Sequence, residues 1–187
     1  MLTLWLAGCL PDLRGKNYEP YDSADEARGP KLTAEPDGDG ITRVTVDATS
    51  ATNWVYVDLD DDAAEVEAEA AGWDLMLSRQ RIAVNGGVSG DGGVEVAVVD
   101  ADRLEDVTVA PTTGYVADLA DDDDENGEPE YTFDLWFAYD DRTHVLTPEP
   151  LVFVVATTDA AHVAIEIVGY YDEAGTSGYL QFRWKLL

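Results

Sequence analysis

From Ile41 onward, apolar residues recur at every second position, the spacing that turns one side of an extended chain toward a core and the other toward solvent. Val44 and Val46 alternate with Thr45 and Asp47. The run Trp54-Val55-Tyr56-Val57-Asp58-Leu59 is β-branched and aromatic. In Trp73–Ser78, the residues Trp73, Leu75 and Leu77 share one face, leaving Asp74, Met76 and Ser78 on the other. Gly93–Val98 alternates too. Tyr131–Phe137 predicts a strand with Tyr131, Phe133, Leu135, Phe137 and Tyr139 on one side. Leu151–Val155 and Val163–Val168 flank the short segment Thr157–Ala161, which predicts a hairpin. In Tyr179–Leu187, the residues Leu180, Phe182, Trp184 and Leu186 oppose Tyr179, Gln181, Arg183 and Lys185. Turn chemistry separates these runs at Asn85-Gly86-Gly87, Gly90–Gly93 and Gly175–Gly178. Helical spacing is confined to Ala63–Ala71 and a turn around Asp102–Val107. Many short strands at close intervals predict an all-β domain over residues 41–187: a single antiparallel sandwich or barrel-like domain with at most one or two short helices.

The segment before Ile41 reads differently. Leu2–Leu6 is a short apolar run ending in Leu6-Ala7-Gly8-Cys9, which resembles a bacterial lipobox, where small residues before the cysteine let the chain enter the signal peptidase. No Lys or Arg precedes the run, and it is shorter than a usual signal core. Residues 1–8 are therefore read as a truncated lipoprotein signal remnant, and Cys9 as the lipidation site. Cys9 is the only cysteine of the chain, so no intramolecular disulfide can form. Residues 9–40 hold four of the eight prolines and lack apolar periodicity, which predicts a flexible acidic tether. The expected location is outside the cytoplasm, lipid-anchored at the outer membrane or cell surface.

Charge narrows the partners. The formal net charge is −28, which argues against nucleic acid, whose affinity comes largely from Lys and Arg neutralising phosphates. It argues equally against docking on anionic lipid through a basic patch, leaving the lipid anchor as the only expected membrane contact. Asp122-x-Asp124-x-Asn126-Gly127 matches the first half of a calcium loop, but Phe133 stands where the bidentate Glu belongs. An acidic solvated loop is expected there, without calcium. Catalysis finds no support either. There is no G-x-S-x-G elbow and no His-x-x-x-His spacing, and the glycines of Gly86–Gly93 open no predicted helix. The reading is of a binding protein, not an enzyme.

Across Val46–Trp184 the sequence resembles the HmuY-like heme-binding lipoproteins. The resemblance lies in Asp47-Ala48-Thr49 leading to Trp54–Leu59, then Trp73-Asp74-Leu75 with Arg79 and Asn85-Gly86-Gly87. It continues through Tyr131-Thr132-Phe133-Asp134, Thr143–Pro148 and Val152–Val155. Tyr170-Tyr171-Asp172 and Phe182-Arg183-Trp184 close it. It implies an all-β fold and capture of heme or a related porphyrin, with an outer-membrane transporter or surface partner. It carries over no particular iron ligand. Heme requires an axial donor, an apolar surface and cations for its propionates. The residue types available as donors are His144, Met76 and His162; those for propionates are Arg79, Arg81, Arg183 and Lys185. The other reading is an adhesion or interaction module of the same fold that binds no heme.

Overall fold

The computed structural model describes residues 31–67, 70–121 and 127–187. Twelve strands follow in order: β1 (Leu32–Gly38), β2 (Ile41–Asp47), β3 (Val55–Asp58), β4 (Ala64–Val66), β5 (Leu75–Ser78) and β6 (Arg81–Val84). Then come β7 (Glu95–Val99), β8 (Phe137–Asp140), β9 (Val145–Pro148), β10 (Val152–Ala156), β11 (His162–Tyr171) and β12 (Ser177–Leu186). They form a six-stranded sheet in the order β1-β2-β12-β11-β10-β7, a four-stranded sheet β4-β3-β5-β6 and the β8–β9 ribbon. All pairings are antiparallel.

One apolar cluster joins the two larger sheets face to face. Val44 and Val46 of β2, Phe153 and Val155 of β10, Ile165 of β11, and Leu180 and Phe182 of β12 meet Val55, Val57, Leu75, Leu77 and Ile82 of the smaller sheet. The architecture is thus an open sandwich rather than a closed barrel. Burying a large apolar side chain contributes roughly 1.5–3 kcal/mol, and Phe133, Phe153 and Phe182 are all fully enclosed. The other face of the six-stranded sheet is covered by the chain after β7. There Leu104 and Val107 pack on Ile41, Val152, Val154 and Ala164. The 3-10 turn Leu104–Asp106 occupies the place where the spacing predicts one.

Three expectations are corrected. Leu32–Gly38, assigned to the tether, forms β1 and pairs with β2 from Leu32↔Val46 to Gly38↔Ile41. Six of its seven residues are exposed, so backbone pairing holds it where no apolar alternation could announce it. Where Ala63–Ala71 carries helical spacing, the described residues form no helix: Ala64–Val66 is β4, an edge strand on β3. In Tyr131–Phe137 the alternation breaks into a 3-10 turn at Asp134–Trp136. The Asp134 carboxylate accepts the Tyr131 N–H at 3.1 Å, and the Trp136 indole donates to the Gln80 carbonyl at 2.8 Å. Phe133 and Trp136 are consequently buried while Leu135 is exposed.

On the outer face of the large sheet, Arg183 collects three carboxylates: Asp37 at 2.6 Å, Glu166 at 2.8 Å and Glu105. The hydrogen bond from Arg183 holds the Glu105 carboxyl down at about 2. This knot ties the exposed β1 hairpin and the 3-10 turn at Leu104–Asp106 to the sheet centre.

Candidate functional site

The β8–β9 ribbon pairs Phe137↔Pro148 through Asp140↔Val145 and stands outside the two main sheets. Its turn is fixed by local bonds. The Asp140 carboxylate accepts the N–H groups of Arg142 at 2.8 Å and Thr143 at 3.3 Å, which hold its carboxyl below the usual range. The His144 N–H donates to the Asp140 carbonyl at 2.8 Å. His144 closes the turn with φ of +57°, a left-handed conformation uncommon for a residue other than glycine. That geometry brings its imidazole back over the strand, where Tyr139 Oη and His144 Nδ1 stand 2.6 Å apart. Tyr139 and Val145 are both exposed at this end but on opposite faces of the ribbon, since Tyr139 pairs with Leu146 and Val145 with Asp140. Arg142 is exposed on the turn between them. The ribbon is anchored by the Leu146 N–H, which donates to Tyr171 Oη at 2.9 Å.

His162 lies elsewhere. It opens β11, with its ring edge-on to Tyr115 at 5.7 Å. Tyr171, which anchors the ribbon carrying His144, closes the same ten-residue strand. At about 3.3 Å per residue His162 stands on the order of 30 Å along the strand from Tyr171, so an iron bound beside His144 is out of reach of His162. Met76 is on β5, half-buried between its cross-strand partners Tyr56 and Ala83.

The four cations named for propionates all make contacts within the protein. Arg79 donates to the Thr49 carbonyl at 3.1 Å and to Ser177 Oγ at 3.0 Å. Arg81 pairs with Glu128 at 2.9 Å and lies over the Trp54 ring. Arg183 forms the carboxylate knot already described, and Lys185 donates to the Glu105 carbonyl at 3.3 Å. Cys9, Asp122, Asp124 and Asn126 fall outside the described residues. Sequence reasoning passed over Tyr139 and Arg142 as site residues.

Among the described residues, Asp58, Asp60 and Asp74 bring one carboxylate oxygen each within 4.8 Å of the others. Asp60 and Asp74 fasten the β10–β11 loop to the smaller sheet, while Asp58 accepts the N–H groups of Asp60 and Asp61. Asp74 accepts the N–H groups of Leu59 and Thr158, each at 2.8 Å. Asp60 accepts Thr157 Oγ1–H at 2.8 Å and the Asp159 N–H at 3.2 Å. Burial, with Asp60 nearby, pushes the Asp74 carboxyl up to about 6 although its two N–H donors oppose this. The folded state therefore holds this proton more tightly than the unfolded chain, and Asp74 contributes less stability as pH rises from about 4 through 6. We expect urea unfolding to show a loss on the order of 1 kcal/mol from this group between pH 5 and 7. The Asp74→Asn variant should flatten that slope whatever its absolute stability; an unchanged slope would assign the pH dependence to the other acids.

The family model described as HmuY protein matches residues 50–184. Three solved structures share the fold, each covering 83% of this chain. A candidate lipoprotein from Bacteroides fragilis has 22% identity and a TM-score of 0.61 over 95% of its own length. The apo HmuY analog of Tannerella forsythia has 15% identity and a TM-score of 0.62 over 96%. A candidate HmuY-like heme-binding protein from Bacteroides vulgatus has 16% identity and a TM-score of 0.62 over 96%. The comparison with curated proteins finds no match.

Proposed function

Because this chain belongs to the HmuY family, we propose that it is a surface lipoprotein that captures heme or a related porphyrin at the tip of the β8–β9 ribbon, without catalysis. The observation that carries this reading is the Tyr139–His144 pair, polar groups held 2.6 Å apart on the ribbon face that Tyr139 shares with its cross-strand partner Leu146. A porphyrin needs an apolar surface to lie on and a donor for its iron; Leu146 offers apolar surface on the face that carries Tyr139, and the Tyr139–His144 pair offers the donor. Arg142, exposed on the turn, is the cation for a propionate, a role that Arg79, Arg81, Arg183 and Lys185 are less able to fill while they hold the fold. Met76 and His162 remain donors of the right type, without an arrangement comparable to that at Tyr139 and His144. Anchoring through Cys9 would hold the domain at a membrane surface and leave the ribbon free to meet heme; among the described residues no helix is long and apolar enough to span a bilayer.

Titration of the purified protein with hemin, followed by visible absorption, tests this directly. A saturable one-to-one spectral change is expected. It should tighten in molar salt, because a chain of net charge −28 repels the propionates until salt screens it. A change that never saturates at either salt concentration would overturn heme capture and favour the adhesion module.

A further inference from the structure

The contact between Tyr139 and His144 bears on which atom meets the iron. We propose that the iron of the captured porphyrin is bound by the phenolate oxygen of Tyr139, with His144 Nδ1 taking the phenolic proton. This rests on heme capture at the ribbon tip and specifies its ligand.

Ferric iron is a hard Lewis acid suited to an anionic oxygen, and tyrosinate is an established type of heme ligand. A phenol ligates as phenolate, so its proton must go to a base within hydrogen-bond reach. Here the base stands 2.6 Å from the hydroxyl. As the Fe–O bond forms, the O–H bond breaks and the proton passes to Nδ1. The neutral imidazole becomes imidazolium, and no redox partner is needed. The resulting positive charge lies on a turn that carries Asp140 and Asp141, opposite in sign to itself. The left-handed backbone at His144 is part of the arrangement, because it turns the imidazole toward Tyr139. His162 opens the strand that Tyr171 closes, roughly 30 Å along it by the rise of a strand, which leaves this tip without a second histidine. An oxygen donor paired with its own base makes a ligand set from what is present.

The test compares wild type, Tyr139→Phe and His144→Ala in hemin titrations, with resonance Raman spectra of the ferric complexes. Tyr139 is half exposed, so Tyr139→Phe should leave the thermal melt unchanged. It should weaken hemin binding at least tenfold and abolish the phenolate vibrations present in wild type. His144→Ala should keep the phenolate signature while weakening binding. Metal-free protoporphyrin should bind wild type and Tyr139→Phe equally, because only the metal bond is lost. If wild type binds hemin but shows no phenolate vibrations, or Tyr139→Phe matches it while His144→Ala loses binding, the ligand assignment falls and heme capture stands. If wild type never saturates with hemin, both fall.

Discussion

The Asp118→Ala variant is expected to lose on the order of 3–5 kcal/mol of folding stability, since each buried donor left without a partner costs about 1–3 kcal/mol. Asp118 is fully buried. Its Oδ1 accepts the Thr132 N–H at 2.9 Å and Thr132 Oγ1–H at 3.0 Å, and its Oδ2 accepts the Val84 N–H at 3.0 Å. One carboxylate thus ties the free edge of β6 to the segment that leads into Phe133 and Trp136. Asp118→Asn keeps one acceptor oxygen but turns an amide N–H2 toward a donor, so its loss should be smaller but still measurable. Urea unfolding midpoints provide the comparison. A loss below about 1 kcal/mol for Asp118→Ala would mean that water reaches those donors, contrary to the burial seen here.

The second large effect lies across the same junction. Gly87 has φ of +62°, and a Cβ placed on it would stand 1.9 Å from the Asp118 carbonyl oxygen. That same oxygen accepts the Val88 N–H at 3.0 Å, so the backbones cannot separate without breaking a bond. Left-handed strain of about 1–2 kcal/mol adds to an overpacking cost of about 1–3 kcal/mol, and Gly87→Ala should lose roughly 3 kcal/mol. Gly93 is the internal control. It also has positive φ, +75°, but a Cβ there meets nothing within 4 Å, so Gly93→Ala should cost only the strain, about 1 kcal/mol. Equal losses for the two variants would show that close approach contributes nothing at Gly87.

These two positions mark what the sequence could and could not disclose. Asn85-Gly86-Gly87 stands out as turn chemistry, yet its reason is long-range: Gly86 lies against Val94, Gly87 against Asp118, and the Asn85 amide donates to the Trp73 carbonyl at 2.8 Å. Strands with one buried face were legible. β12 alternates along nearly its whole length, and β10 and β11 flank the expected loop. Strands stabilised by pairing alone were not, as β1 shows. The alternation at Tyr131–Phe137 misled because Phe133 and Trp136, three residues apart, are the buried pair, and the Asp134 side chain competes for the backbone there.

The candidate site divides in the same way. His144 could be placed in a hairpin turn from the surrounding Asp and Thr residues alone. Its partnership with Tyr139 depends on a positive φ that residue types do not announce. Nor could the sequence reveal that Arg183 is engaged by three carboxylates, since these come from β1, β11 and the turn after β7. Alternation puts Asp74 with Met76 on the face opposite Trp73, but it does not reveal that the β10–β11 loop covers Asp74.

Capture at the ribbon tip is tested most directly by amide NMR of the labelled protein titrated with gallium(III) protoporphyrin, a diamagnetic stand-in for ferric heme. The account predicts shifts concentrated on Ala138–Leu146 and on Tyr171 beneath them. Shifts centred on Tyr56 and Met76, or on Tyr115 and His162, or none at saturating porphyrin, would contradict it.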